Sequence, residues 1–338
     1  MSSLSEQTIR ETLVALVPEQ AITAISLRGD KLGCVISTDA QGPQAQQLQR
    51  RCEQALLALE GVEEVTLVLT RHDETPAATT ATPRTKAQWR SESLPHVKRI
   101  IAIASGKGGV GKSTTTVLLA HALQQAGKRV GILDADIFGP SIPRMMGLQQ
   151  AGQPAFEAGQ IIPHQAYGMN VMSMGFLTGD NAAVMRGAMV SKVLAQMLRQ
   201  VRWATAEAPL DVLLIDMPPG TGDIHISMVQ QVPLDGALIV TTPQEVSRID
   251  ADKCAQMFTK VSVPIIGVIE NMSYFTDPTG MQHSLFGQGA GQALADAHAV
   301  PLLAQLALEP TIGAALDQGQ KPVLPDALCQ LAAKGMII

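Results

Sequence analysis

Ser105-Gly106-Lys107-Gly108-Gly109-Val110-Gly111-Lys112-Ser113-Thr114 follows the apolar run Arg99–Ala104 and opens the helical periodicity of Lys112–Ala126. Gly106, Gly111, Lys112 and Ser113 meet the G-x-x-x-x-G-K-[ST] spacing, in the strand–loop–helix context that gives the pattern its meaning. The residue types suit one chemistry. Glycines let successive backbone N–H groups converge on phosphate oxygens, and a helix starting at Lys112 adds the positive end of its dipole. Lys112 is expected to reach the β- and γ-phosphates of a nucleotide and the Ser113 hydroxyl to ligate Mg²⁺. Lys107, Gly108, Gly109, Val110 and Thr114 complete the cradle.

The next apolar run, Arg129–Asp134, continues into Ala135-Asp136-Ile137-Phe138-Gly139-Pro140. Carboxylates at the C-terminal end of a parallel strand sit where open α/β sheets bind their ligands. Asp136 is the candidate for polarising the attacking water, and Asp134 for holding the hydration shell of Mg²⁺. Leu213-Leu214-Ile215-Asp216 is a second apolar strand ending in aspartate. Asp216 is expected to accept from Mg²⁺-bound water or from Ser113. Met217-Pro218-Pro219-Gly220-Thr221-Gly222-Asp223 then supplies a rigid, glycine-containing turn suited to sensing the γ-phosphate.

Short apolar runs recur at Arg99–Ala104, Arg129–Asp134, Asp211–Asp216, Gly236–Thr241, Pro264–Glu270 and Leu302–Leu308. Runs without polar alternation, separated by helical stretches, indicate a parallel sheet buried on both faces. The helices fall at Lys112–Ala126, Met189–Arg199, Val246–Lys260, Gly289–His298 and Pro325–Lys334. The fold class is therefore α/β over residues 98–338. Residues 1–72 read differently, as a small α-β-β-α-β domain. Its helices lie at residues 4–16 and Gln44–Leu59, and its strands at Ala21–Leu27, Lys31–Ser37 and Val65–Thr70. Arg28-Gly29-Asp30 reads as the hairpin turn between the first two strands rather than an adhesion motif. Residues 73–97, rich in Thr, Ala, Pro and Ser, read as a linker.

The chain has 338 residues, a length for two or three domains, and 46% are hydrophobic, which excludes disorder throughout. Charged residues make up 16%, with 25 basic against 30 acidic, so a general nucleic-acid or polyanion binder is not expected. Four scattered cysteines, Cys34, Cys52, Cys254 and Cys329, form no disulfide framework, and a reducing cytoplasm is the expected setting. The N-terminus lacks a signal-peptide pattern, and no apolar run approaches the ~20 residues of a membrane span.

GKGGVGKST, with Lys107 directly after the first glycine, resembles the deviant Walker A class, which includes the nitrogenase iron protein and the division-site and partition ATPases. In that class the extra lysine crosses a dimer interface to the partner's nucleotide, so the resemblance implies an ATP-dependent homodimer with Lys107, Lys112 and Asp136 in catalysis. Together with LDADIFGPSIP, MRGAMVSK, LLIDMPPGTGD, TTPQE and IENMSYF, the loop is similar to the Mrp/ApbC family of iron–sulfur cluster carrier ATPases, from about Arg99 to Val323. The resemblance implies a P-loop NTPase fold, slow ATP hydrolysis, iron–sulfur assembly or client proteins as partners, and Asn271 at the adenine. The first module resembles the small N-terminal domain often fused to that family.

The family's pattern continues ENMSYF with a C-x-x-C pair, and two such pairs hold one [4Fe–4S] cluster across the dimer. This chain has Tyr274-Phe275-Thr276-Asp277-Pro278-Thr279-Gly280 instead, with Asp277 near the first cysteine position and Thr279 or Gly280 near the second. The [4Fe–4S] cluster is thus implied by resemblance while its usual ligands are absent. His283 shares the segment with Asp277 and is the one O/N pairing there; the seven histidines show no metal-ligand spacing. Three readings stay open: an iron–sulfur carrier ATPase, a MinD/ParA-like positioning or regulatory ATPase without a cluster, and a non-enzymatic scaffold that uses ATP only to set dimer geometry, against which the intact Asp136 and Asp216 weigh. The C-terminal PDALCQLAAKGMII has one lysine and no polybasic face, which weighs against a membrane-cycling version.

Overall fold

The structure is a computed structural model, and it describes residues 6–28, 31–37, 43–59, 62, 64–70, 94–136, 139–157, 159–178, 193–194, 197–222, 225–226, 229 and 233–337. The chain divides into two compact units, Met1–Pro83 and Arg84–Ile338. The Arg-Gly-Asp turn and most of the linker lie outside the described residues, as do Asp223, the MRGAMVSK stretch and part of the helix expected at Met189–Arg199.

In the first unit α1 (Glu6–Val14), β1 (Ile22–Arg28), β2 (Lys31–Ser37), α2 (Pro43–Leu57) and β3 (Glu64–Thr70) follow the expected order. β2 pairs antiparallel with β1 and parallel with β3. Ile9, Leu13, Cys52 and Leu56 from the helices bury against Leu32, Cys34 and Ile36 of β2. Alternate residues of one strand thus face a single helical layer.

The second unit holds β4 (Ile100–Ala104), α3 (Lys112–Gln125), β5 (Val130–Asp134), α4 (Ile142–Met145), the small hairpin β6–β7 (Phe156–Glu157, Gln160–Ile161), β8 (His164–Ala166), β9 (Met169–Ser173) and α5 (Met174–Thr178). Then come β10 (Val212–Asp216), β11 (Gly236–Thr241), α6 (Glu245–Lys260), β12 (Ile265–Thr276), β13 (Gln282–His283), α7 (Ala290–Ala297), β14 (Leu302–Ala307), α8 (Pro310–Asp317) and α9 (Asp326–Ala333). One sheet runs β12-β11-β4-β10-β5-β9 with β14 outside β12, all in parallel. Only the short end strands β8 and β13 pair antiparallel.

Both faces of this sheet are covered, as uninterrupted apolar strands require. Ile100, Ala102, Leu213, Ile215, Ala237 and Ile239 face a layer containing Cys254, Met257 and Phe258 of α6. Ile101, Ile103, Leu214, Leu238 and Val240 face Val117, Leu119 and Leu123 of α3 and Leu328 and Leu331 of α9. α3 is buried around most of its circumference, so it is a core helix that carries the phosphate loop on its N-terminus. Phe258 is fully buried, and truncating it to alanine would cost about 3–5 kcal/mol. No helix among the described residues is long and apolar enough to cross a membrane.

The structure adds to the sequence reading. The short elements α4, β6, β7, β8, α5 and β13, together with β9 and α8, were not expected, and β12 runs to Thr276 rather than ending at Glu270. The extension carries Asn271 and Tyr274.

Candidate nucleotide site

β4 ends at Ala104, and Ser105 starts the loop with its Oγ donating to the Lys107 carbonyl at 3.0 Å. Gly106 is dictated by packing. A Cβ there would lie 2.0 Å from the Asp250 carbonyl oxygen, so the backbone of α6 rests directly on the loop. Gly109 and Gly111 both have φ +81°, the left-handed region open to glycine, and Gly111 is the N-cap of α3. Among the described residues, the N–H groups of Gly108, Gly109, Val110 and Gly111 meet no backbone acceptor. They border a cleft of about 250 Å³ lined by Ser105, Lys107–Thr114, Asp136, Gly139, Ser141, Met145 and Pro219. Donors turned toward a concave surface at a helix N-terminus form an anion site.

Beneath the loop the polar side chains are joined. Lys112 Nζ stands 2.8 Å from Asp216 Oδ1 and 3.4 Å from Ser113 Oγ. Ser113 Oγ donates to Asp216 Oδ2 at 2.5 Å, and Thr116 Oγ1 to Asp216 Oδ1 at 2.9 Å. Asp216 is fully buried, and its strand register sets it beside Asp134. Burial, and then the neighbouring Asp216, push the Asp134 carboxyl far above the usual carboxylate range. Asp134 accepts from Asp136 N at 3.1 Å, Ile142 N at 3.3 Å and Ser173 Oγ at 3.0 Å. It therefore ties Asp136 and Ile142 to Ser173 of β9. Asp136 lies in the cleft lining, with Gly139 N donating to its Oδ1 at 3.2 Å.

The loop after β10 turns through Gly220 at φ +117° with the His225 ring packed over it. Among the described residues neither His225 ring nitrogen has a hydrogen-bond partner of good geometry, and burial draws the imidazole below its usual pKa.

The residues singled out for the nucleotide are thus gathered at the C-terminal ends of the parallel strands, but not all face the cleft. Lys107, Lys112, Ser113 and Asp136 line it, whereas Asp134, Asp216 and Asn271 stand behind it. Asn271 Nδ2 donates to the Val110 carbonyl at 2.9 Å, so its amide is engaged with the loop itself. Thr116, Ser173 and Glu270 escaped the sequence reading. Thr116 had one usable signal, lying three residues after Ser113 on the same helical face; Ser173 had none.

At the end of β12 the segment of residues 276–281 is a closed turn. Asp277 Oδ1 accepts from Thr279 N at 2.8 Å, Thr279 Oγ1 at 2.6 Å and Met281 N at 3.1 Å, and Oδ2 meets His283 Nε2 at 2.7 Å. The Thr279 hydroxyl and then His283 hold the Asp277 carboxyl well below the usual carboxylate range. No group of three His, Cys, Asp or Glu among the described residues is placed to hold a metal ion. Cys254 is buried within α6, and burial pushes its thiol up to about 12, far from a ready thiolate.

Residues 96–335 match the family described as ParA, NUBPL iron-transfer P-loop NTPase. An iron–sulfur cluster carrier protein of Pseudomonas fragi is 47% identical over 244 residues, 71% of this chain and 84% of that protein. The carrier protein of Escherichia coli K12 is 41% identical over 281 residues, 82% of this chain and 73% of its own length. That of Rickettsia felis is 38% identical over 301 residues, 88% and 87% respectively. Among solved structures, a nucleotide-binding protein from Archaeoglobus fulgidus in complex with ADP is 36% identical, with TM-score 0.60 over 70% of this chain and 93% of that one. The septum site-determining protein MinD of Pyrococcus horikoshii, complexed with Mg-ADP, is 23% identical with TM-score 0.53 over 70% of this chain and 96% of that one; it shares the fold.

Proposed function

This chain belongs to the iron-transfer P-loop NTPases, and on that premise we propose that it binds Mg-ATP, hydrolyses it slowly as a homodimer, and acts in iron–sulfur cluster assembly or transfer in the cytoplasm. The observation that carries the reading is the junction of Lys112, Ser113 and Asp216 beneath a loop whose N–H groups border the cleft. Lys112 serves the β- and γ-phosphates, and Asp136, at the cleft wall, orients the attacking water. Lys107 reaches the nucleotide of the partner subunit. Asn271 stands on the adenine side, behind the loop it holds at Val110.

Ser113 and Asp216, with Asp134 behind them, offer only oxygen ligands, the donor set that a hard divalent cation takes. When bound there, Mg²⁺ neutralises phosphate charge. The test is Mg-ATP binding and phosphate release by the wild type and by Lys112→Ala: both are lost or strongly reduced if the reading is right, and unchanged turnover in the variant overturns it.

Cluster carriage takes a particular form here. Asp277, Thr279 and Gly280 supply no thiolate, and the Asp277 oxygens are already engaged within the turn. A cluster handled as cargo then draws its sulfur ligands from outside this segment, from a small thiol or a client's cysteines, and is bound transiently. The same closed turn favours the second reading, a regulatory or positioning ATPase that carries no cluster.

A further inference from the structure

β12 does not run smoothly past the nucleotide loop. Its pairing with β14 slips between Glu270 and Tyr274, and Met272, inside the slip, has φ +56°. A left-handed, unbranched but bulky residue within a strand stores strain and persists only where its neighbours over-determine it. The neighbours that do so are visible. The single Ser273 hydroxyl proton is shared between the Glu270 carbonyl at 2.8 Å and Glu270 Oε1 at 2.9 Å, closing the bulge. Glu270 is itself immobilised: Gln305 Nε2 of β14 donates to Oε1 at 2.8 Å, and Gly291 N in the first turn of α7 donates to Oε2 at 2.6 Å. Glu270 and Ser273 are buried, at 1% and 6% exposure. The fit is close enough that a Cβ on Gly291 would lie 2.7 Å from Glu270 Oε2.

Asn271 is the residue that this bulge aims. Its Nδ2 donates to Val110 O at 2.9 Å and would stand 2.1 Å from a Cβ on Gly111, the left-handed residue that caps α3. The strained turn of β12 and the left-handed turn of the phosphate loop are therefore mated through one amide. We infer that Glu270 and Ser273 form a clamp that locks the β12 bulge, and that through Asn271 this clamp holds the phosphate loop in its nucleotide-binding conformation. Glu270 and Ser273 are positioning residues in this account; they touch no nucleotide. The clamp also joins the nucleotide loop to α7 and β14, two elements on the far side of β12.

The inference rests on the nucleotide-binding reading, so the wild type is measured first: failure of wild-type protein to bind Mg-ATP would sink that reading and not the clamp alone. With wild-type binding in hand, Mg-ATP dissociation constants and hydrolysis kinetics are compared for Ser273→Ala, Ser273→Thr, Asn271→Ala and the Asn271→Ala/Ser273→Ala pair. Loss of the hydroxyl should weaken Mg-ATP binding about fivefold, on the scale of one or two buried hydrogen bonds, with the loss falling on KM far more than on kcat. Ser273→Thr, which keeps the hydroxyl, should recover most of the affinity. The double variant should bind no worse than Asn271→Ala alone, because Ser273 acts through Asn271. Unchanged affinity in Ser273→Ala, or additive losses in the double variant, overturns the clamp. Should Ser273→Ala fail to fold, Glu270→Gln, whose single amide oxygen can serve only one side of the donors that both carboxylate oxygens now accept from, carries the same comparison.

Discussion

The phosphate loop and the β12–β13 turn are both short, glycine-containing segments beyond the C-terminal ends of parallel strands, and each has a left-handed glycine, Gly109 and Gly111 in one and Gly280 in the other. They differ in what their polar groups do. In the phosphate loop the N–H groups of Gly108 to Gly111 meet no backbone acceptor among the described residues, and the side chains beneath them converge on Asp216. In the β12–β13 turn, Asp277 gathers the Thr279 and Met281 N–H groups, the Thr279 hydroxyl and His283 onto one carboxyl. A loop built to bind leaves donors facing a cleft; a loop built to turn satisfies itself. The contrast separates the loop proposed to bind a nucleotide from the turn proposed as the cargo position, which offers no thiolate.

The largest expected effect is on the first side of that contrast. Lys112→Ala should lower ATP turnover by about a hundredfold or more, read as phosphate release at saturating Mg-ATP, and should weaken binding as well. Near wild-type turnover would leave the loop without its assigned chemistry. Next is the test of Lys107 in trans. Lys107→Ala and Asp136→Ala subunits, each inactive alone, should recover about a quarter of wild-type activity when mixed, since half the dimers are then mixed and each holds one complete site. Heterodimers that form without recovering activity would place Lys107 in its own subunit's site.

Gly111→Ala sharpens the comparison through the backbone. With φ +81° and Asn271 Nδ2 2.1 Å from the added methyl carbon, it should cost about 1–2 kcal/mol of stability and weaken Mg-ATP binding. Gly280→Ala, at φ +88° with open space around it, should strain its turn without touching nucleotide affinity. Calorimetry on the two variants side by side checks this.

The smallest effects are in pH dependence, where the two regions run in opposite directions. Asp134 is pushed up by burial and by Asp216, so the folded state prefers its protonated form. Its contribution should make the protein less stable as pH rises above about 3.9, the unfolded value, toward the raised folded value, and Asp134→Asn should flatten that decline in thermal unfolding between pH 4 and 8. Asp277 is pulled down by Thr279 and His283. Its contribution is present above about pH 3.9 and is lost below it, so amide-exchange protection at Thr279 and Met281 should hold to about pH 4 and then fade. Unchanged protection at Thr279 and Met281 in Asp277→Ala would mean that the carboxylate does not organise the turn.

Much of the fold was open to a reader of the sequence because its signals are local. The run Ile100–Ala104, the glycines after it and the helix from Lys112 lie within 26 contiguous residues, Ile100–Gln125, and Asp216 closes an unbroken apolar strand. What escaped depends on partners distant in sequence. β9 interrupts its apolar residues with the half-buried Asn170, whose amide donates to the Trp203 carbonyl at 2.7 Å. α8 opens with a proline and packs Ile312 and Leu316 inward, too short a pattern to stand out beside the Pro-containing segment that follows. Glu270 looked like the end of a strand. Its role appears only once Gly291 and Gln305, 21 and 35 residues further on, are brought to its oxygens. Asn271 was noticed by resemblance, but its bond to Val110 was not, since nothing local links residues 161 apart.

The claim at the centre of this account is that the chain pairs a complete nucleotide site with a cargo position that cannot retain a cluster by itself. Anaerobic reconstitution with iron and sulfide, followed by desalting and iron analysis of protein that binds Mg-ATP, tests it most directly. The account predicts that iron is lost on desalting, and is held only while a small thiol or a client protein is present. Retention of about four irons per dimer after desalting, undiminished when Cys254 and Cys329 are replaced by serine, would contradict it.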